Sequence, residues 1–173
     1  MRRVVVTGIG TINSTGHNVK DSFEAVVNGV CGIDTITLFD ASEFSVKIAG
    51  EVKDFDPTTV MDKKEVKKAD RFIQLGIKAA LEAMIDSGYV TQENKKVDAS
   101  IADRFGMISG SGIGGLSTIE RNSVVCETKG SRKVSPFFIP SSLANMLSGF
   151  ISIEHNLRGP SLSHVTACAA STH

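Results

Sequence analysis

Phe105-Gly106-Met107-Ile108-Ser109, running into Gly110-Ser111-Gly112-Ile113-Gly114-Gly115, is the stretch on which the fold turns. Its first part reads as a buried strand, because a brief apolar run bounded by turn residues suits a covered sheet position. Its second part is a glycine turn, and a helix is expected behind it. Strand, glycine turn and helix in that order belong to α/β packing, and the flanking chain continues the alternation. Upstream, Val4-Val5-Val6-Thr7 reads as a buried strand that stops at a tight turn, Gly8-Ile9-Gly10. Asn18 is placed to cap a helix whose Val19, Phe23, Val26 and Val27 share one face, with Gly29 as its stop. Val46, Ile48 and Val52 alternate with polar or small residues and suggest a short strand.

One long helix is expected from Asp62 to Ser87. It is basic at first through Lys63, Lys64, Lys67 and Lys68, then apolar along Phe72, Ile73, Ile77, Ala80, Leu81 and Met84. Gly76 lies in that stripe, where glycine costs about 1 kcal/mol relative to alanine unless another backbone packs there. Thr91 to Arg104 is polar and reads as a surface connection. After Pro140, Ser141 or Ser142 is expected to cap a helix bearing Leu143, Met146, Leu147, Phe150 and Ile151. Leu162 to Thr166 forms a last strand, and the small residues Ala167 to Ser171 follow it.

The 173 residues carry 19 Lys plus Arg and 19 Asp plus Glu, so the formal charge cancels. That balance argues against nucleic-acid binding by bulk electrostatics. The length suits one domain, and 41% hydrophobic residues suffice for a core. No apolar run approaches the roughly 18 residues of a membrane helix. Met1-Arg2-Arg3 is followed by only three valines before Thr7, so no signal-peptide core exists and a cytoplasmic location is expected. Cys31, Cys126 and Cys168 are odd in number and far apart, which fits neither a disulfide framework nor a zinc site. The Asn13-Ser14-Thr15 sequon therefore lacks a secretory setting.

Gly110, Gly112 and Gly115 satisfy a dinucleotide fingerprint after a strand and before a helix. The acidic residue that would bind a ribose further on is missing, since that region reads Arg132-Lys133-Val134-Ser135-Pro136. Leu116 stands where a phosphate loop needs lysine. The other reading is glycines that permit a tight turn and close backbone packing. Cys31 and Cys126 read as small hydrophobes. Cys168 differs, because it follows a short strand among small residues. A tight strand-to-helix turn there would lift its sulfur clear of the sheet edge. A helix N-terminus behind it would favour thiolate and offer N–H groups to an oxyanion. Spacing alone leaves a catalytic and a structural cysteine equally open.

The chain resembles the β-ketoacyl-acyl-carrier-protein synthases, in the form of the type II condensing enzymes of bacterial fatty-acid synthesis. The resemblance runs end to end. It rests on Arg3-Val4-Val5-Val6-Thr7-Gly8-Ile9-Gly10, Gly110-Ser111-Gly112-Ile113-Gly114-Gly115-Leu116, Ser135-Pro136-Phe137-Phe138-Ile139-Pro140-Ser141, Leu157-Arg158-Gly159-Pro160-Ser161 and Thr166-Ala167-Cys168-Ala169. It implies an α/β, thiolase-like fold of two similar halves, with residues 1–173 as the N-terminal half, and it sets the glycine loop apart from a dinucleotide site.

The resemblance further implies that Cys168 takes an acyl chain from the phosphopantetheine thioester of acyl-carrier protein. Malonyl-carrier protein then loses carbon dioxide, and its carbanion attacks the acyl-enzyme to give a 3-oxoacyl product. The Cys168 backbone N–H would be one oxyanion donor. Ile113 matches a residue lining the acyl pocket, and Phe138 matches a pocket residue contributed across the interface of a homodimer. Lys64, Lys67 and Lys68 match a basic helix that docks the carrier protein; read alone, they would be a solvated face. No cofactor of its own is implied, since phosphopantetheine arrives on the carrier, and neither a nucleic acid nor a membrane partner is expected. His164 matches no catalytic position and is read as structural or partly exposed. His17 lies in a polar turn and His173 at the terminus, without a role.

Three rival readings stand beside this one. A type I synthase or polyketide ketosynthase would share the chemistry, although Ile113 and Phe137-Phe138 favour the type II form. A non-catalytic partner subunit would usually lack the nucleophile. A nucleotide-binding α/β module is the third. In the family, two catalytic histidines, a lysine and the second oxyanion donor belong to the C-terminal half. Residues 1–173 alone are therefore expected not to condense. An assay of these residues with acyl- and malonyl-carrier proteins checks this, and turnover comparable to a complete synthase would overturn it.

Overall fold

A computed structural model describes residues 2–173; Met1, the first residue of the basic Met1-Arg2-Arg3 opening, lies outside them. In chain order the first elements are α1 (Val19–Val27), β1 (Asp34–Thr35), β2 (Ile48–Ala49), α2 (Lys63–Val66) and α3 (Arg71–Asp86). They are followed by β3 (Met107–Gly110), α4 (Leu116–Lys129), α5 (Phe138–Ser142), α6 (Met146–His155) and β4 (Ser161–His164), with single 3-10 turns between. The chain forms two units, one reaching to Asp56 and including Lys78–Gly88, the other built from Pro57–Ile77 and Tyr89–His173. No helix among the described residues is long and apolar enough to cross a membrane.

In the first unit, the expected strand at Val4–Thr7 is absent, and Val4 is 96% exposed. β-branched residues suit a sheet, but a strand exists only where a second backbone pairs with it, and none among the described residues does. The segment behind it lies along α3 instead. A Cβ at Gly8 or Gly10 would run into the carbonyl oxygens of Ala83 and Ala79. The freed N–H groups of Ile9 and Thr11 donate to Asp86 (3.0 Å) and Glu82 (3.1 Å). Asn18 caps α1 as expected, accepting from the Asp21 N–H at 2.8 Å, and Gly29 turns the chain away at φ +67. The apolar face of α1 is not buried, however. Phe23, Val26 and Val27 are exposed, and Ser22 is the buried residue. Periodicity makes a helix amphipathic but does not supply the surface that covers it. The strand expected over Val46–Val52 shrinks to β2, antiparallel to β1.

In the second unit the long helix is broken. Asp62 caps α2 by accepting from the Lys64 N–H (2.7 Å), and the chain then turns through Lys67–Ala69. Asp70 opens α3, its carbonyl accepting from Ile73 and Gln74. An aspartate inside a helical pattern prefers the cap position, where its side chain competes for backbone N–H groups. Ile73 and Ile77 are buried, and the neighbour that fills the space beside Gly76 is the side chain of Leu147 rather than a backbone.

The strand expected in the stretch before the glycine turn exists as β3. It pairs in parallel with β4, in register Met107↔Ser161 through Gly110↔His164. Its burial is one-sided, with Ser109 buried and Ile108 exposed. The hydroxyls of Ser109, Ser148 and Ser163 lie 2.6–2.9 Å apart and tie both strands to α6. Neither Ser141 nor Ser142 caps the following helix. Both lie within α5, which also holds Pro140, and α6 begins after Asn145. Proline is tolerated in a first helical turn, where its missing N–H has no partner to lose. The Ser141 hydroxyl is used elsewhere, donating to the Lys68 carbonyl at 2.6 Å.

The connection read as polar surface contributes to the core through Val97 and Ala102. It is held by His155, fully buried, whose Nδ1–H donates to the Lys95 carbonyl at 2.7 Å while its own carbonyl accepts from Val97. A histidine so placed is structural.

Glu51, in the first unit, accepts from the Thr37 hydroxyl (2.7 Å) and from the N–H groups of Thr37 and Leu38. The bonds from Thr37, its hydroxyl first, hold the Glu51 pKa below the usual glutamate value. A depressed carboxyl stabilises the fold above the unfolded-state value and loses that contribution as pH falls through the folded one. Glu51→Gln is therefore expected to lower the thermal midpoint near neutrality and to flatten its fall on the acid side. Melting curves across that pH range check both.

Candidate active site

Parallel pairing of β3 with β4 brings their C-terminal ends to one edge, where open α/β sheets hold ligands. The Ser111 N–H extends the ladder by donating to the His164 carbonyl at 3.1 Å. From that edge β3 passes into the glycine loop with Ile113, and β4 passes through Val165 and Thr166 into a 3-10 turn, Ala167–Ala169, with Cys168 at its centre. The two exits touch. A Cβ at Gly110 would strike the carbonyl of Ala170, so glycine there lets the cysteine turn settle against the start of the loop.

Cys168 is an exposed free thiol. Ala167, immediately before it, has φ +50, a left-handed conformation that costs a non-glycine residue about 1 kcal/mol or more. This is the tight turn expected from the small residues. The helix expected behind it is a single 3-10 turn, so helix-dipole support for a thiolate is not present in these residues. Ala169 and Ala170 spend their N–H groups on Thr166 and Ala167. The Cys168 N–H makes no hydrogen bond among the described residues, which leaves it free to receive an oxyanion. His164 is half-buried, its ring 5.6 Å from that of His173, and His173 in turn meets the Thr166 hydroxyl at 3.0 Å.

The glycine loop is bent by Gly114 at φ +90, where a Cβ would also collide with the Ser142 carbonyl. Its backbone is pinned by Gly114 N–H to the Ser111 hydroxyl (3.0 Å) and by Gly115 N–H to the Ser142 carbonyl (2.9 Å). Ile113 stands 64% exposed on the loop. At the start of α4 the place a phosphate would take is filled by the buried Asp70 carboxylate, which accepts from the Thr118 N–H (2.9 Å) and hydroxyl (2.6 Å). A negative group already seated there opposes the nucleotide alternative.

The remaining residues picked out in the sequence lie around the turn between α2 and α3 and on α5. Lys64 and Lys67 are exposed. Lys68 is internally engaged, 2.6 Å from Glu65 and 5.6 Å over the ring of Phe137. Phe138 opens α5 and is partly buried. The structure thus makes two pairings, Cys168 with the Ile113 loop and Lys68 with the Phe137-Phe138 segment. Asp70 and Ser141 escaped the sequence reading as site residues. An aspartate interrupting a helical stripe was the available signal for the first; nothing local marked the second.

All of residues 1–173 match the family described as "Beta-ketoacyl synthase, N-terminal domain". The chain is 48% identical to a 3-oxoacyl-[acyl-carrier-protein] synthase 2 of Vibrio harveyi, over 99% of this chain and 40% of that protein. It is 45% identical to the protein of the same name from Coxiella burnetii, with the same coverage. It therefore spans about 40% of the length of the curated relatives it matches. Among solved structures, the ishigamide ketosynthase/chain length factor superposes with TM-score 0.77 at 28% identity, over 96% of this chain and 40% of that one. A β-ketoacyl synthase from Burkholderia phymatum superposes with TM-score 0.80 at 21% identity, over 99% and 41%. The pairing of a strained cysteine turn with a glycine loop at one sheet edge thus comes with a recognised lineage: this chain belongs to the β-ketoacyl synthase family, as its N-terminal domain, in the α/β thiolase-like fold of the ketosynthases.

Proposed function

We propose that this protein works as a condensing enzyme of fatty-acid elongation, a 3-oxoacyl-acyl-carrier-protein synthase, with Cys168 as its nucleophile. The observation that carries this is the exposed thiol on a left-handed turn, seated against the glycine loop. The Cys168 thiolate attacks the carbonyl of an acyl-phosphopantetheine thioester, a carbon–sulfur bond forms and the carrier thiol leaves. Malonyl-carrier protein then gives up carbon dioxide, and the carbanion so formed attacks the acyl-enzyme. A carbon–carbon bond forms, and the Cys168 thiolate departs. The free N–H of Cys168 is suited to the oxyanion of both addition steps.

Ile113 on the loop and Phe138 on α5 are assigned to the acyl pocket, Phe138 across a homodimer interface. Lys64 and Lys67 are assigned to carrier docking, with Lys68 contributing through its hold on Phe137. A carrier partner is supported by a 22% identical neighbour, the AntDE ketosynthase, solved in complex with its type II PKS acyl-carrier protein AntF. No resident cofactor is needed, because the phosphopantetheine arm comes with the carrier. Three free cysteines suit the reducing cytoplasm. The 173 residues alone hold the nucleophile but are proposed not to condense, since the family's catalytic histidines and lysine match no position among them.

Cys168→Ser in the full-length protein is expected to reduce acyl uptake from acyl-carrier protein by about a thousandfold or more, whereas Cys31→Ser and Cys126→Ser leave it unchanged. Intact-mass detection of the acyl adduct checks it. An adduct that persists in Cys168→Ser would sink the assignment.

A further inference from the structure

Asp70 carries a second role beyond opening its own helix. It is buried in the core of the second unit, and its two carboxylate oxygens face different helix starts. One makes a long contact with the Phe72 N–H of α3 (3.4 Å), while the other accepts both the N–H (2.9 Å) and the hydroxyl (2.6 Å) of Thr118 in the first turn of α4. That first turn needs outside help. Its cap residue is Gly115, which has no side chain to offer, and the start of a helix always leaves N–H groups unpaired. Asp70 therefore acts as the cap of α4 from a different part of the chain.

The geometry around Gly115 shows how tightly this is built. A Cβ at Gly115 would come within 2.6 Å of the Ser141 carbonyl and 3.1 Å of the Asp70 side chain. Directly before Gly115 comes the Ile113-Gly114 turn. Gly114 is held in a left-handed conformation (φ +90), two residues before α4 begins. Among the bonds that fix the loop and the helix start behind it, those from Thr118 to the Asp70 carboxylate are the charge-assisted ones, and such bonds are the stronger kind.

We propose that Asp70 is the positioning residue of the acyl pocket, setting through Thr118 the place of the glycine loop and so of Ile113 relative to the Cys168 turn. Asp70 touches neither substrate nor nucleophile; it acts through the loop. The segment that precedes it strengthens the case. Lys68 gives its carbonyl to the Ser141 hydroxyl of α5 (2.6 Å) and lays its ammonium over Phe137. The short run from Lys68 to Asp70 is thus the footing of both the loop with Ile113 and the helix with Phe138. The inference rests on the acyl-pocket assignment of Ile113 made above.

The test uses the full-length protein and acylation of Cys168 from butyryl- and lauroyl-carrier protein, with the ratio of the two kcat/KM values as readout. Thr118→Val removes the hydroxyl bond and keeps the N–H bond, which makes it the milder variant beside Asp70→Asn. Both variants are expected to shift the ratio by about fivefold or more, because small displacements of a pocket wall are amplified in rate. Thr118→Ser, which keeps hydroxyl and N–H, is expected to stay within about twofold of the parent. Lower melting temperatures with an unchanged ratio would show Asp70 to be structural only and overturn the proposal. Ile113→Phe runs in parallel. If it shifts the ratio and the Thr118 and Asp70 variants do not, the positioning role fails while the pocket assignment stands. If those variants shift it and Ile113→Phe does not, Asp70 positions the loop and a loop residue other than Ile113 forms the wall.

Discussion

The parallel pairing of β3 with β4 is the constraint on which the site depends. Antiparallel strands would send one exit to each end of the pair, and the glycine loop and cysteine turn would never meet. In parallel register, Gly110 opposite His164, both exits fall on the same edge. Gly110 then lets the Ala170 backbone close the remaining gap. The register is not held by apolar packing alone. A buried set of serine hydroxyls, Ser109, Ser148 and Ser163, locks the strands to each other and to α6, and such a set is satisfied only when all three members align.

Polar side chains do much of the positioning elsewhere too. Glu82 and Asp86 receive the N–H groups of a segment that runs along α3 without becoming a strand. Asp70 joins the starts of two helices. Ser141 ties α5 to the turn before Asp70. Most of these bonds meet a backbone group, and where that group is buried the penalty for leaving it unsatisfied exceeds the net gain of an average hydrogen bond. Side chains that look like ordinary caps or surface polars in the sequence are thereby drawn into long-range work.

Apolar groups tell the complementary story. Ile73, Ile77 and Leu81 are buried where a helical stripe predicts it, yet the valines of the opening run and the apolar face of α1 stay exposed. The pattern of a segment says which face wants cover; whether cover exists depends on what else is present. This chain spans about 40% of the length of its curated relatives.

Local chemistry in the sequence determined much. The Asn18 cap, the glycine stop at Gly29, the buried stripe of α3, the strand before the glycine turn, the helix behind it and the tight turn at Cys168 all follow from side-chain preferences acting over a few residues. The motifs that mark the family were legible in the same way. Tertiary structure decided what those preferences could not reach. It broke one predicted helix in the turn before Asp70, whose carboxylate also accepts from Thr118 in the first turn of α4. It moved the start of α6 past Ser141 and Ser142, which lie within α5, and left Val4–Thr7 without a paired strand among the described residues. The physical reason is common to all three. A hydrogen bond or a buried face is a property of two partners, and a sequence read locally shows only one of them.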